Sequence, residues 1–193
     1  MLVAQAVRAS EIFMDTTYDD ALLESVYKKI LSQKQNIVLI GMPSSGKTSV
    51  GKRIAEKLGR PFTDTDELVA LTGGESIPDI FQKYGEKEFR RRESAAVKHA
   101  STLVGNVIAT GGGAVINQSN VKNLMQNGQI FFLDRSLEKL IPTEDRPLGS
   151  TREAIEKRYH ERYDIYCASC DHRIDGDGDI ETVANTIIEE FLK

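Results

Sequence analysis

The residues with the clearest chemistry are Gly41-Met42-Pro43-Ser44-Ser45-Gly46-Lys47-Thr48, which fit the pattern G-x-x-x-x-G-K-[ST]. The apolar run 36–40 enters this stretch as a buried strand, and 49–58 leaves it as a helix. Glycines let the backbone turn tightly, so that successive N–H groups converge on an anion. The helix N-terminus adds about half a positive charge at the same spot. Lys47 is placed to reach terminal phosphates, and the Thr48 hydroxyl to ligate Mg²⁺. Gly41, Ser44, Ser45, Gly46, Lys47, Thr48 and Ser49 are therefore the candidate polyphosphate contacts. The competing explanation is a chance glycine-rich turn, and the flanking strand and helix argue against it.

Three polar clusters fall where later strands end. Asp64-Thr65-Asp66 closes the second apolar run. As residues i and i+2 of a strand, the two carboxylates face the same way, one serving Mg²⁺ through water and the other accepting from a hydroxyl. The alternative is an Asp-rich turn capping the next helix. The third strand ends without an acid, which leaves Asp64 as the replacement for the usual Mg²⁺-holding aspartate. That strand runs instead into Thr110-Gly111-Gly112-Gly113, whose N–H groups are expected to be bare beside the cleft. The third cluster is arginine. Arg90 and Glu93 share a helix face, whereas Arg91 and Arg92 point to solvent. Arg146 lies in a polar stretch, 142–150, that reads as a lid. Arg162 shares a face with Arg158 and Tyr166. Paired guanidiniums at one pocket imply an anionic substrate.

These residues need a scaffold, and the apolar pattern supplies one. Strands are predicted at 36–40, 61–65, 106–110, 129–134 and 172–175. Helices are predicted at 47–58, 76–102 with an interruption near Gly85, 118–126, 152–167 and 180–192. Such alternation is the α/β class, with a parallel sheet covered on both faces and ligands at the strands' carboxyl ends. At 193 residues the chain is one domain with an extension. Its net charge of -4, with both signs interspersed, gives no basic face for nucleic acid and no reason for a membrane surface. No run approaches membrane-spanning length, and the N-terminus lacks a signal pattern, so a cytoplasmic protein is expected. Cys167 and Cys170 end a helical pattern without a second ligand pair and read as small residues rather than a redox or zinc site. His99, His160 and His172 show no ligand spacing. Before the core, 1–13 and 19–31 are helical. Leu22, Leu23, Val26, Tyr27, Ile30 and Leu31 form a stripe expected to pack on the core.

Taken in order, the phosphate loop, Asp64-Thr65-Asp66, the run from Gly85 to Glu93, Thr110 to Gly113, Arg146-Pro147-Leu148 and Arg162 to Tyr166 resemble shikimate kinase over about residues 36–193. The resemblance implies a P-loop nucleoside-monophosphate-kinase-like fold, with a five-stranded parallel sheet of order 2-3-1-4-5 flanked by helices. It implies transfer of the ATP γ-phosphoryl group to the 3-hydroxyl of shikimate by a monomer. Thr48 and Asp64 then serve Mg²⁺. Asp66 holds shikimate hydroxyls and is the base. Arg90 and Arg162 hold the carboxylate, with Glu93 orienting Arg90. Gly111, Gly112 and Gly113 bind the substrate through the backbone. Lys47 and Arg146 stabilise the phosphate charge.

There are departures from the family pattern. The stretch 134–146 is short, Gly149 follows Leu148, and adenine contacts near 175–179 are not recognisable. Residues 1–13 resemble the C-terminal helix of shikimate dehydrogenase. The alternative reading of 1–13 is an ordinary amphipathic helix. The resemblance implies that 1–35 is the end or remnant of such a domain plus linker, with fusion to or association with that enzyme. The alternatives are a sugar-acid kinase of the same fold, such as a gluconate kinase, and a non-catalytic nucleotide-binding module. The presence of Lys47, Thr48, Asp64 and Asp66 together speaks against the latter.

Overall fold

All five residues of the first apolar run are buried, which makes it the centre of the sheet. The computed structural model describes residues 2–141 and 151–193. In it β1 (Asn36–Ile40) lies between β3 (Val107–Ala109) and β4 (Gly128–Asp134), with β2 (Phe62–Asp64) and β5 (His172–Asp175) outside them. Every pairing is parallel and the order is β2-β3-β1-β4-β5, as expected. The period of two along each strand divides the core. Val38, Ile40, Ile108, Ile130 and Phe132 face one side, against α5 (Ile77–Ser101), α6 (Gln118–Met125) and α7 (Arg152–Ser169). Ile37, Leu39, Val107, Phe131, Leu133 and Ile174 face the other, against α3 (Lys47–Leu58) and α8 (Ile180–Phe191). Burying each such side chain stabilises the fold by roughly 1.5–3 kcal/mol. This double cover fixes the carboxyl edge of the sheet, where the phosphate loop emerges.

Two local features differ from expectation. β2 stops at Asp64, and α4 (Thr65–Gly73) starts at once, an element the apolar pattern did not predict. Asp64 is its N-cap, accepting from the Asp66 N–H at 2.9 Å. α4 then packs on α5 through Val69, Ile80, Phe89 and Ala96. α5 is capped by Ser76 and breaks at Gly85 (φ 78°, ψ 178°), the interruption anticipated there.

The second difference concerns the extension. α1 (Leu2–Met14) and α2 (Asp20–Lys34) contain no buried residue. Leu22, Val26, Tyr27, Ile30 and Leu31 are exposed, so the stripe does not pack on the core as expected. The attachment is polar and sits at the end of α2. The Lys34 carbonyl accepts from the Gly105 N–H (2.8 Å) and from Asn127 Nδ2 (3.3 Å). Gln35 accepts from Arg60 through its carbonyl (2.9 Å) and from Gln129 through its side chain (3.2 Å). A helix held by its last turn need not lay its side on the body it joins. No helix among the described residues is long and apolar enough to cross a membrane.

Removing residues 1–31 should therefore leave the melting temperature unchanged, because every one of those four bonds survives. Removing 1–35 should lower it. Each lost hydrogen bond is worth about 1 kcal/mol, or roughly 2–4 °C in a chain of this size. Thermal denaturation of the two truncations checks this. An equal loss in both would mean that the helices themselves brace the core.

Candidate active site

The phosphate loop is built from unusual backbone. Gly41 and Gly46 have φ of 148° and 95°, and Ser44 adopts a φ of 64° that few non-glycine residues take. These turns fold the chain over Lys47, which is buried, with its Nζ donating to the carbonyls of Gly41 (3.0 Å) and Met42 (2.7 Å). Ser45 is also buried, its hydroxyl 3.4 Å from that ammonium. Thr48 Oγ donates to Asp64 Oδ2 at 2.8 Å. The strand geometry expected for Asp64 and Asp66 is corrected, because the helix begins between them. Asp66 belongs to the first turn of α4, and the Asp-capped turn is what forms. Both carboxylates nonetheless line the same cavity.

The glycine run works by having no side chains. A methyl group at Gly111 would collide with the carboxylates of Asp66 and Glu93, one at Gly112 with Pro43, and one at Gly113 with the Arg90 guanidinium. Three walls thus close on one short loop. The expectation of three bare N–H groups is corrected at Gly111, whose N–H donates to Thr65 Oγ at 3.0 Å. The Gly112 carbonyl accepts from Arg162 Nη1 (3.2 Å) and from the Tyr166 hydroxyl (2.5 Å). Burial pushes the Tyr166 pKa up to about 12 against the pull of Arg162, keeping this hydroxyl a donor.

Arg90 donates to Glu93 at 2.8 Å and to Glu86 at 3.1 and 3.3 Å. Glu93 is 2 % exposed. Burial pushes its carboxyl up, Arg90 pulls it back, and Asp66 adds to the rise. For Arg90 burial lowers the pKa, but Glu93 and Glu86 outweigh it and leave it raised. Arg162 is 8 % exposed, on α7. Burial, and then the Arg162 charge, lower the pKa of its neighbour Arg158.

One cavity of about 710 Å³ collects these groups. Of the expected contacts it is lined by Ser44, Gly46, Lys47, Thr48, Ser49, Asp64, Asp66, Arg90, Glu93, Gly112, Gly113 and Arg162. Gly41, Ser45 and Gly111 are buried and do not line it. Arg146 and the expected lid at 142–150 lie outside the described residues. Sequence reasoning missed Arg135 and Lys139 and gave Arg158 no role, yet all three line the cavity. For Arg135 a signal existed, since it directly follows β4 at the carboxyl edge of the sheet. Among the described residues six cations and three carboxylates face this space, so these groups favour anions in a chain whose net charge is negative. Cys167 and Cys170 are free thiols at the end of α7, and burial raises the pKa of Cys170.

The family model for shikimate kinase matches residues 43–192. A shikimate kinase of Caldanaerobacter subterraneus is 42% identical over 167 residues, covering 82% of this chain and 97% of its own. One from Thermoanaerobacter pseudethanolicus is 40% identical with the same coverage. Among solved structures, the shikimate kinase of Acinetobacter baumannii in complex with shikimate superposes with a TM-score of 0.80. It is 30% identical and covers 86% of this chain and 97% of that one. The Aquifex aeolicus shikimate kinase superposes with a TM-score of 0.71 at 34% identity, covering 80% and 94%. The family match, the curated relatives and the superposed structures agree, and this chain belongs to the shikimate kinase family, whose members are ATP-dependent phosphotransferases acting on shikimate in aromatic biosynthesis.

Proposed function

We propose that the cavity divides into a nucleotide half, around Lys47 and Thr48, and an acid-binding half, around Arg90 and Arg162, with Asp66 between them. The observation that carries this is their meeting in one cavity although they come from α3, α4, α5 and α7. Arg90, braced by Glu93, and Arg162 grip the shikimate carboxylate as planar two-donor forks. The backbone of Gly112 and Gly113 lies against the ring. Asp66 orients the 3-hydroxyl and accepts its proton as the hydroxyl oxygen bonds to the γ-phosphorus and the bond to ADP breaks. Lys47 moves from the loop carbonyls to the phosphate oxygens, and Arg146, by the family resemblance, adds further charge. Catalysis then comes from positioning and fixed charge.

Mg²⁺ fits the chemistry of Thr48 and Asp64. A hydroxyl and a carboxylate oxygen lie 2.8 Å apart beside the loop, and Mg²⁺ prefers such hard oxygens together with substrate phosphates and water. Bound there, it neutralises charge on the terminal phosphates. Thr48 and Asp64 would hold it, with Asp64 still capping α4. We assign residues 36–193 to a monomeric, cytoplasmic kinase unit. Residues 1–35 form an appended hairpin, whose exposed stripe suits association with a shikimate dehydrogenase domain. The sugar-acid alternative gives way to the family assignment.

Lys47→Ala should lower turnover on the order of 10²-fold or more with the fold intact, as measured by a coupled ADP-release assay and circular dichroism. Near-normal turnover would remove Lys47 from the chemistry.

For the substrate half, Arg90→Lys should weaken shikimate binding about ten- to hundredfold and leave ATP binding unchanged. Lysine keeps the charge but not the fork. The amide analogue of shikimate should bind poorly to the parent protein and should hardly distinguish the two proteins. Calorimetry on both ligands and both proteins closes the cycle. Simple additivity of the two effects would show that Arg90 does not read the carboxylate.

A further inference from the structure

Arg135 has no part in the scheme above, yet no ion pair to its guanidinium is found among the described residues. It is the first residue after β4, whose Phe132 is in register with Ile40 at the entry to the phosphate loop. Its side chain reaches back over that loop. Nη1 lies 3.7 Å from where a Cβ on Gly46 would stand, and Gly46 is the N-cap of α3. Arg135 lines the nucleotide half of the cavity. Its Nε is buried and has no hydrogen-bond partner among the described residues. A buried donor left in that state is costly, and such groups generally mark a missing ligand or a functional role.

The neighbouring acids do not fill the gap. Asp134 accepts from Arg173 Nε at 2.7 Å and from the Tyr163 hydroxyl at 3.1 Å. Asp177 accepts from the Ser136 N–H at 2.9 Å and pairs with Lys139 at 3.5 Å. The same contacts hold the corner in place, along with the Gly176 N–H on the Asp134 carbonyl at 2.8 Å. Arg135 is thus presented from a fixed backbone, with its head at the point where anions gather.

We propose that Arg135 is a nucleotide-phosphate ligand, its guanidinium taking oxygens of the di- or triphosphate chain where that chain passes Gly46. This rests on the loop being the nucleotide site. It predicts a residue that governs affinity for ADP and ATP and leaves shikimate affinity alone. It also predicts that the nucleotide satisfies a donor which the free protein leaves buried and unmet.

The test is calorimetry with ADP, adenosine and shikimate, and thermal denaturation with and without ADP, on the full chain and on Arg135→Met, Arg135→Lys and Lys47→Met. Arg135→Met should weaken ADP about tenfold or more, in keeping with loss of a charge-assisted contact. Adenosine and shikimate should bind it as they bind the parent. Without nucleotide its melting temperature should be unchanged or higher, because an unmet donor is gone, and the ADP-induced shift should shrink. Arg135→Lys should recover part of the ADP affinity.

Unchanged ADP affinity would overturn the assignment. So would equal losses for ADP and adenosine, which would place Arg135 against the base or ribose. A lower melting temperature in both Arg135 variants without nucleotide would make the residue a structural brace and overturn it as well. Lys47→Met separates this from failure of the site itself. If it alters ADP or ATP handling while Arg135→Met does not, only the Arg135 assignment falls. If neither variant alters it, the loop is not the nucleotide site.

Discussion

One carboxylate ties the phosphate loop to the start of α4. Asp64 takes the Thr48 hydroxyl on one oxygen and the Asp66 N–H on the other. The first bond ties the start of α3 to the end of β2, and the second sets the first turn of α4. Asp66 is therefore aimed by the same group that braces the phosphate loop. Hydrogen bonds to a charged group are worth about 1.5–3 kcal/mol each, enough to fix one arrangement over its neighbours. The sheet supplies the rest, since β2 and β1 reach the carboxyl edge together only because β3 pairs with both.

Absence of bulk matters as much as charge around this centre. Gly111, Gly112 and Gly113 let two carboxylates, a proline of the phosphate loop and an arginine come against one backbone segment. Burial raises the pKa of the Glu93 carboxyl and Arg90 draws it back, while the 2.8 Å bond to Glu93 orients Arg90. The pair holds one geometry on the face of α5 beyond the break at Gly85. The excess of cations at the cavity runs against the sign of the whole chain, so the anion preference is local.

Much of this was legible in the sequence, for identifiable reasons. The phosphate loop, the strand–helix alternation and the i, i+3 pairing of Arg90 with Glu93 depend on spacing within a few residues. What escaped depends on longer range or on competing local signals. Thr65–Gly73 is short and carries an acidic start, so the strand before it appeared to run on, although an N-cap aspartate was the correct clue. The exposed stripe of α2 has the periodicity of a buried face, and periodicity does not say which surface covers it. Arg135 is a lone arginine in sequence. Its place just after β4 can be read along the chain, but its reach over Gly46 and the unmet Nε among the described residues cannot.

The hairpin joins the protein at Lys34 and Gln35, beside the amino ends of β1, β3 and β4, while the phosphate loop leaves the carboxyl end of β1. Five residues of extended chain, about 17 Å, separate the two. The edge of the sheet that attaches is thus the edge that does not react. A bead, a surface or a second enzyme coupled through residues 1–35 would thus attach at the amino edge of the sheet and leave the phosphate-loop edge to face its substrates.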